Sequence, residues 1–427
     1  TTAERNAFFG GATGRLNTTG DRNTFIGRSA GYWNTTGSSN TFVGNAAGSL
    51  NATASYNVVI GDEAGQYLTS GENNSFVGYH AGWRNKTGTR NIAIGNNALD
   101  APDTENDNLA IGYDALGGAI AGGEYNVAVG NYSLDANTTG DNNTAIGYNS
   151  LSANTTGGNN TASGSWALYS NTTGANNTAL GYGALAANTE GAYNVASGLS
   201  ALAANTTGEF NVAIGQYSLD ANTEGDHNTA LGYDAGDVIT TGSQNVIIGS
   251  VSDPSANSAT NQIVIGYGVT GTGNNEIALG NTSISAIKAQ VTSITGYSDS
   301  RIKRDIRDTD LGLALINELR PVKYRLKNPA DYPVSLLGHR FKTGEESRPK
   351  DDETVYDGLV AQEVKASLDN MGLEWSGWSK NDSDGKQGIQ YGALVVPLIK
   401  AVQELSAKVD KLESQLEANS AEVSASQ

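Results

Sequence analysis

Apolar residues return along most of this chain at one fixed, long interval, set in a background of asparagine, threonine and glycine. Each return is a five-residue phrase that starts on asparagine and closes on glycine, such as N-T-A-I-G at Asn143–Gly147. The asparagine recurs in fifteen copies from Asn6 to Asn245, every step 17 residues except one of 18, and its glycine partner is present each time, from Gly10 to Gly249. Two degenerate copies follow, ending at Gly266 and Gly280. Self-similarity at one period is the mark of a solenoid, in which each repeat is a coil stacked on the next.

Within a coil the pattern alternates. Positions one and three after the asparagine carry mostly Thr or Val and then Ile, Val or Leu, so they share one face of a short strand while position two points the other way. A second apolar spot follows about four residues after the glycine, and N-T-T-G reads as a turn. One coil cannot bury its own apolar face, so neighbours must stack. At about 4.8 Å per strand, the fifteen coils make a rod on the order of 70 Å long. Aligned asparagines would form hydrogen-bonded ladders, and the repeated glycine would hold a backbone conformation closed to other residues. Position two is Phe8, Phe25, Phe42 and Phe76 early, with Val59 between, and then alanine from Ala93 to Ala230. An alanine face permits close approach of another surface, so we expect Ala145 and Ala179 at the axis of an oligomer.

The rhythm breaks after the last copy. Leu311, Leu315, Ile316 and Leu319 recur at helical spacing, R-P-V-K-Y-R-L reads as a strand, and Y-D-G-L-V-A-Q-E-V-K-A-S-L as a strand turning into a helix. At the end, Val395, Leu398, Val402, Leu405, Val409, Leu412 and Leu416 are spaced alternately three and four apart, the seam of a coiled coil. Pro397 is best tolerated in a first turn, so that helix should begin close to Leu394. The seam runs on into polar sequence, where only a partner helix needs it.

Composition narrows the chemistry. There is no Cys and only three His, standing singly, so thiolate and histidine-rich metal centres are excluded and we expect no cofactor and no metal. No run of apolar residues is long enough to span a membrane, so no membrane insertion is expected. The net charge of −18 is uneven: between Arg90 and Lys288 there is no Lys or Arg but 17 Asp and Glu. Such a shaft repels nucleic acid, anionic lipid and anionic polysaccharide. The N-T-T and N-N-T triplets match the glycosylation sequon, but turn chemistry accounts for them. Tyrosines directly after the repeated glycine (Tyr79, Tyr113, Tyr148, Tyr182, Tyr233) suit either stacking on sugars or covering coil edges, and we take the second. The chain begins without Met and inside the repeat, so we expect sequence before residue 1.

Two resemblances add to this reading. The strand phrase is similar to the head repeats of trimeric autotransporter adhesins, parallel β-rolls assembled as trimers, although those favour shorter coils and lack the constant N-T-T-G. The ordered motifs S-D-S-R-I-K-R-D-I, L-R-P-V-K-Y-R-L, G-L-V-A-Q-E-V and I-Q-Y-G-A-L-V-V-P-L-I-K-A-V-Q-E-L resemble the intramolecular chaperone domain that ends endosialidases and phage tail spikes, a self-cleaving peptidase family. That resemblance implies a trimerising domain that guides folding of the fibre before it and then releases itself. The family's Ser–Lys dyad maps to Ser298 and Lys303, and the implied scissile bond is Ser298–Asp299. The residue types suit the chemistry: a neutral Lys can take the proton of a Ser hydroxyl, and the adjacent Arg301 and Arg304 would depress its pKa.

The expected architecture is therefore mainly β. A trimeric parallel β-roll or β-solenoid shaft of 17-residue coils spans 1–280, and a connector with the cleavage region spans 281–297. A small α+β domain over 298–427 ends in a coiled-coil helix at about 393–420. The function expected first is a phage tail fibre or spike of the virion, a homotrimer that attaches to a host cell-surface receptor, glycan or protein. It would carry a single-turnover autoproteolytic domain. Two alternatives use the same parts: a bacterial cell-surface adhesin or extracellular filament, and a glycan-degrading spike whose enzyme domain lies upstream.

Overall fold

The computed structural model describes residues 3–101, 104–118, 122–284, 306–326, 355–380, 385 and 387–425. The chain divides into two compact units, Thr1–Asn281 and Thr282–Gln427.

The first unit is a parallel β-solenoid of 17-residue coils. Each coil contributes one three-residue strand, from β1 (Ala7–Phe9) to β17 (Ile277–Leu279), and the strands form one 17-stranded sheet paired coil to coil. Register is exact in repeat units: Ala145 lies beside Ala162, and Ala162 beside Ala179. Backbone bonds continue outside the sheet. The N–H of Leu151 donates to Ala167, that of Thr155 to Thr172, and that of Asn159 back to Asp141.

The strand pattern is as expected, with position two pointing away from its neighbours. Its direction corrects one expectation. Ala145 and Ala179 are fully buried in the chain's own core, not at the axis of an oligomer. Alanine is required there because the space beyond it is already filled. Eight residues past the asparagine, Leu99, Leu151, Leu168 and Leu185 lie fully buried with φ of 49–54°. In the early coils that position is glycine and position two is phenylalanine: a Cβ on Gly31 would sit 2.5 Å from the Phe25 ring. Phe25 and Phe42 stack 4.8 Å apart. Most coils thus hold either Phe with Gly or Ala with Leu, the exceptions including Val59 with Gly65 and Ala230 with Gly236, and core volume is largely conserved while its source moves.

Two buried asparagine ladders hold the coils in line. In the first, Asn160 Oδ1 accepts the Asn177 N–H at 3.0 Å, and Asn160 Nδ2 donates to the Gly174 carbonyl at 2.9 Å, tying the strand to the end of its own coil. In the second, built from the N-T-T-G asparagines, Asn171 Nδ2 donates to Asn154 Oδ1 at 2.8 Å and to Gly174 O at 2.9 Å. These asparagines are fully buried, so the N-T-T sequons are structural. The second ladder stops at Asn222, because the next coil has Ile239 in its place, and Asn222 Oδ1 is left buried without a partner. The glycine closing each strand is held by close approach: at Gly164 (φ 143°) a Cβ would meet the Gly181 carbonyl oxygen at 2.4 Å.

The second unit is small and mixed. Helix α1 (Leu313–Glu318) precedes β18 (Val322–Tyr324), which pairs antiparallel with β19 (Tyr356–Gly358). Helix α2 (Ala361–Met371) ends on Gly372 in the left-handed conformation, with Leu373 N–H bonded back to Leu368 O. Strands β20 (Trp378–Lys380) and β21 (Gln387–Ile389) form a second antiparallel pair. A 3₁₀ turn at Tyr391–Leu394 leads into helix α3 (Val395–Ala425), which places Pro397 in the first turn as expected. The core is Leu315, Val364, Leu368 and Trp375. Glu404 of α3 accepts the Leu313 N–H at 2.8 Å, supplying the cap that Gly312 cannot make for α1.

Candidate functional site

Three surfaces carry chemistry that the fold itself does not consume. The first is the outer face of the long sheet. With position two inside, positions one and three face outward, and the third is aliphatic in most coils. Ile94, Ile146, Leu180, Ile214 and Leu231 are each about two-fifths exposed, on strands of the one sheet, and Ile214 and Leu231 lie side by side. A parallel sheet ordinarily has both faces covered, whereas here aliphatic residues, interrupted by Ser163 and Ser197, stand in water along one face. Sequence reading paired these positions correctly but assigned the wrong side of the strand to the interior. The signal available was the anticorrelation between position two and the residue six further on, Phe with Gly and Ala with Leu.

The second is helix α3. Its first turns pack on the unit, where Ala401 is buried, but the predicted seam faces solvent: Val395, Leu398, Val402, Leu405, Val409, Leu412 and Leu416 are all exposed. Val395, Leu398, Ile399 and Val402 line an open apolar depression. Among the described residues, nothing covers this stripe.

The third is the coil edge just after the closing glycine, where aromatic rings and carboxylates mix. Tyr113, Tyr132, Tyr148 and Trp166 form a chain of edge-to-face contacts with centroids 5.4, 6.0 and 5.8 Å apart. Beside it lie Asp100, Asp114 and Asp135. Burial, and then the charge of Asp114, pushes the Asp100 carboxyl up to about 6, and the same two causes raise Asp135. Farther along, Asp253 meets Asp237. Burial first, and then the hydrogen bond and charge of Asp237, hold Asp253 well above the usual carboxylate range, and its Oδ1 is buried without a partner. Among the described residues no group of three or more Asp, Glu or His is placed to hold a metal ion. No described helix is long and apolar enough to cross a membrane.

The sequence-derived site residues Ser298, Asp299 and Lys303 lie outside the described residues, as does the cleavage region as a whole. The motifs that accompany them are described. L-R-P-V-K-Y-R-L supplies β18, with Arg320 Nε donating to Glu363 Oε2 at 3.0 Å. G-L-V-A-Q-E-V starts α2, and the Leu359 N–H donates to the Tyr391 hydroxyl at 2.8 Å, joining this motif to I-Q-Y-G-A-L. Motifs far apart in sequence therefore meet in one core.

Residues 298–373 match the family described as chaperone of endosialidase. No curated protein and no solved structure matches the chain.

Proposed function

We propose, from the match of residues 298–373 to the chaperone of endosialidase, that this chain is a homotrimeric fibre or spike protein of the phage-tail type. In this reading the solenoid is its extracellular attachment shaft, binding a host-surface glycan or protein, and the C-terminal unit is the chaperone that assembles it. The observation that carries the reading is the open aliphatic face of the sheet, present in the same chain as the solvent-facing seam of α3. Both are apolar surfaces that one chain leaves in water and that further copies would cover.

A chaperone answers a physical need of this shaft. Coils whose strands read T-A-I or T-A-L can pair one or more repeats out of step at almost equal energy, so the sheet alone sets register weakly. Three α3 helices joined along Val395–Leu416 would align three chains before their coils close. Release would follow at Ser298–Asp299: the Ser298 hydroxyl of a neighbouring copy, its proton taken by a neutral Lys303, would attack the Ser298 carbonyl, Asp299 would leave as the amine, and water would then cleave the ester. Hydrolysis consumes one water and leaves a carboxylate on Ser298 and an amine on Asp299. The family match supports a self-cleaving peptidase, and the dyad rests on the resemblance that maps it to Ser298 and Lys303, whose residue types suit it.

The test compares the full chain with Ser298→Ala and Lys303→Ala by mass spectrometry and light scattering. A wild-type cut after Ser298 that is absent from both variants, with all three proteins trimeric, is the expected result. An uncut wild-type trimer removes the proteolysis and leaves the chaperone; a monomeric wild type removes both.

A further inference from the structure

The coil edge after the closing glycine has a period of its own. That position is tyrosine in every second coil, at Tyr79, Tyr113, Tyr148 and Tyr182, and a small polar residue, Asn96, Asn131 or Ser165, in the coils between. These four rings are exposed, by 45, 41, 46 and 59 %. Rings exposed to this degree cover a coil edge only in part and leave the rest of their surface to solvent. Two coils advance about 10 Å along the sheet, which is the length of one disaccharide in an extended pyranose polymer. Between the exposed rings sit half-buried aromatic wedges one position further on, Tyr132 and Trp166, edge-to-face against Tyr113 and Tyr148. The wedges hold Tyr113 and Tyr148, and Tyr79 stacks on His80 at 3.9 Å, so a ligand would meet three rings already fixed and would lose little of their side-chain entropy on binding.

We infer that this edge binds a linear, uncharged polysaccharide, laid along the shaft with one tyrosine under each disaccharide. The proposal rests on the attachment reading above and names its ligand class. Charge selects the class. The coils from residue 91 to 287 contain no Lys or Arg but 17 Asp and Glu, with Asp100, Asp114 and Asp135 at the Tyr113 end of the row, so sialylated, uronate or phosphate polymers would be repelled. The same carboxylates would accept hydrogen bonds from sugar hydroxyls. Pyranose C–H groups have the partial positive charge that the face of a tyrosine ring attracts.

The experiment titrates the full chain with neutral cello- and chito-oligosaccharides of two to eight sugars, with oligosialic acid as the anionic control, by calorimetry and by Trp166-reported fluorescence. Affinity should rise at each added disaccharide, and the octamers should bind at least tenfold more weakly to Tyr148→Ala/Tyr182→Ala. Tyr148→Phe/Tyr182→Phe, which keeps the rings, should retain most of the affinity. Unchanged circular dichroism would show that the shaft is intact. The proposal is overturned if no neutral oligosaccharide binds, if oligosialic acid binds better, or if the alanine double variant binds the octamer like the wild type. Adsorption to host cells separates the two levels. If both proteins adsorb equally, the shaft attaches through another surface and the glycan track falls alone. A wild-type chain that binds oligosaccharides but adsorbs to no cell removes the attachment reading and keeps the track.

Discussion

A buried leucine with φ near +50° is a strained residue, and this shaft repeats it coil after coil. The left-handed conformation costs an ordinary residue about 1 kcal/mol or more. It is tolerated here because the leucine side chain fills the space above an alanine, and filling it offsets the strain. The Phe coils reach the same density with the opposite choice, a glycine under a ring. This exchange predicts a rescue. Phe25→Ala should destabilise the shaft by about 3–5 kcal/mol, as large-to-small core changes do. Adding Gly31→Leu should recover more than half of that, while Gly31→Leu alone should be at least as damaging as Phe25→Ala, since its Cβ would lie 2.5 Å from the ring. Denaturant midpoints of the three variants decide it; a double variant no better than Phe25→Ala would show that the pair does not exchange volume. The exchange was present in the sequence as an anticorrelation six residues apart, but only the coil's closure shows that the two positions face each other.

At the scale of elements, the sheet and α3 share one property: each has an apolar face exposed among the described residues. The strand phrase made the two-sidedness of the sheet legible, and the heptad spacing did the same for α3. Which side of the strand faces inward could not be read from alternation, because both sides are apolar. Burial resolves it: position two has room only for alanine opposite leucine, so the branched residues point out. If that outer face joins copies of the chain, Ile214→Lys/Leu231→Lys should leave the coil folded by circular dichroism. The same variant should shift the shaft, isolated after processing or by limited proteolysis, from trimer to monomer in sedimentation. An unaltered trimer would mean that the sheet face is not the interface. Leu405→Asp/Leu412→Asp should act at an earlier step, reducing the yield of assembled chain rather than the stability of what assembles.

For the whole molecule, acidity gives the shaft a pH dependence. Asp100 is held up to about 6 by burial and Asp114, with Asp135 also facing it and His80 and Arg84 opposing, and Asp253 is held higher by burial and Asp237. In the unfolded chain these carboxyls titrate in their ordinary range. Between that range and their folded values the native state binds more protons, so stability falls as pH rises through the folded values. A one-unit shift is worth about 1.4 kcal/mol, and screening of the half-exposed Asp100 limits its share to about 1 kcal/mol. The opposite trend, from Asp107 beside Arg90 and Glu363 beside Arg320, comes from exposed pairs and sets in only at acid pH. The shaft should therefore melt about 2–4 °C lower at pH 8 than at pH 5, and Asp100→Asn/Asp253→Asn should flatten the slope. A melting temperature that rises over this range would contradict the assignment.

The repeat length, the strand in each coil, the ladders of asparagine and the heptad seam were all determined by the sequence alone. Each follows from local spacing, and a residue in one copy meets its twin in the next. The tertiary structure decided what local spacing cannot carry: which side of the strand is interior, where core volume shifts from Phe to Leu, and which tyrosines remain in water. Those depend on the turn between strand and core, where 17 residues must close on themselves with no room to spare.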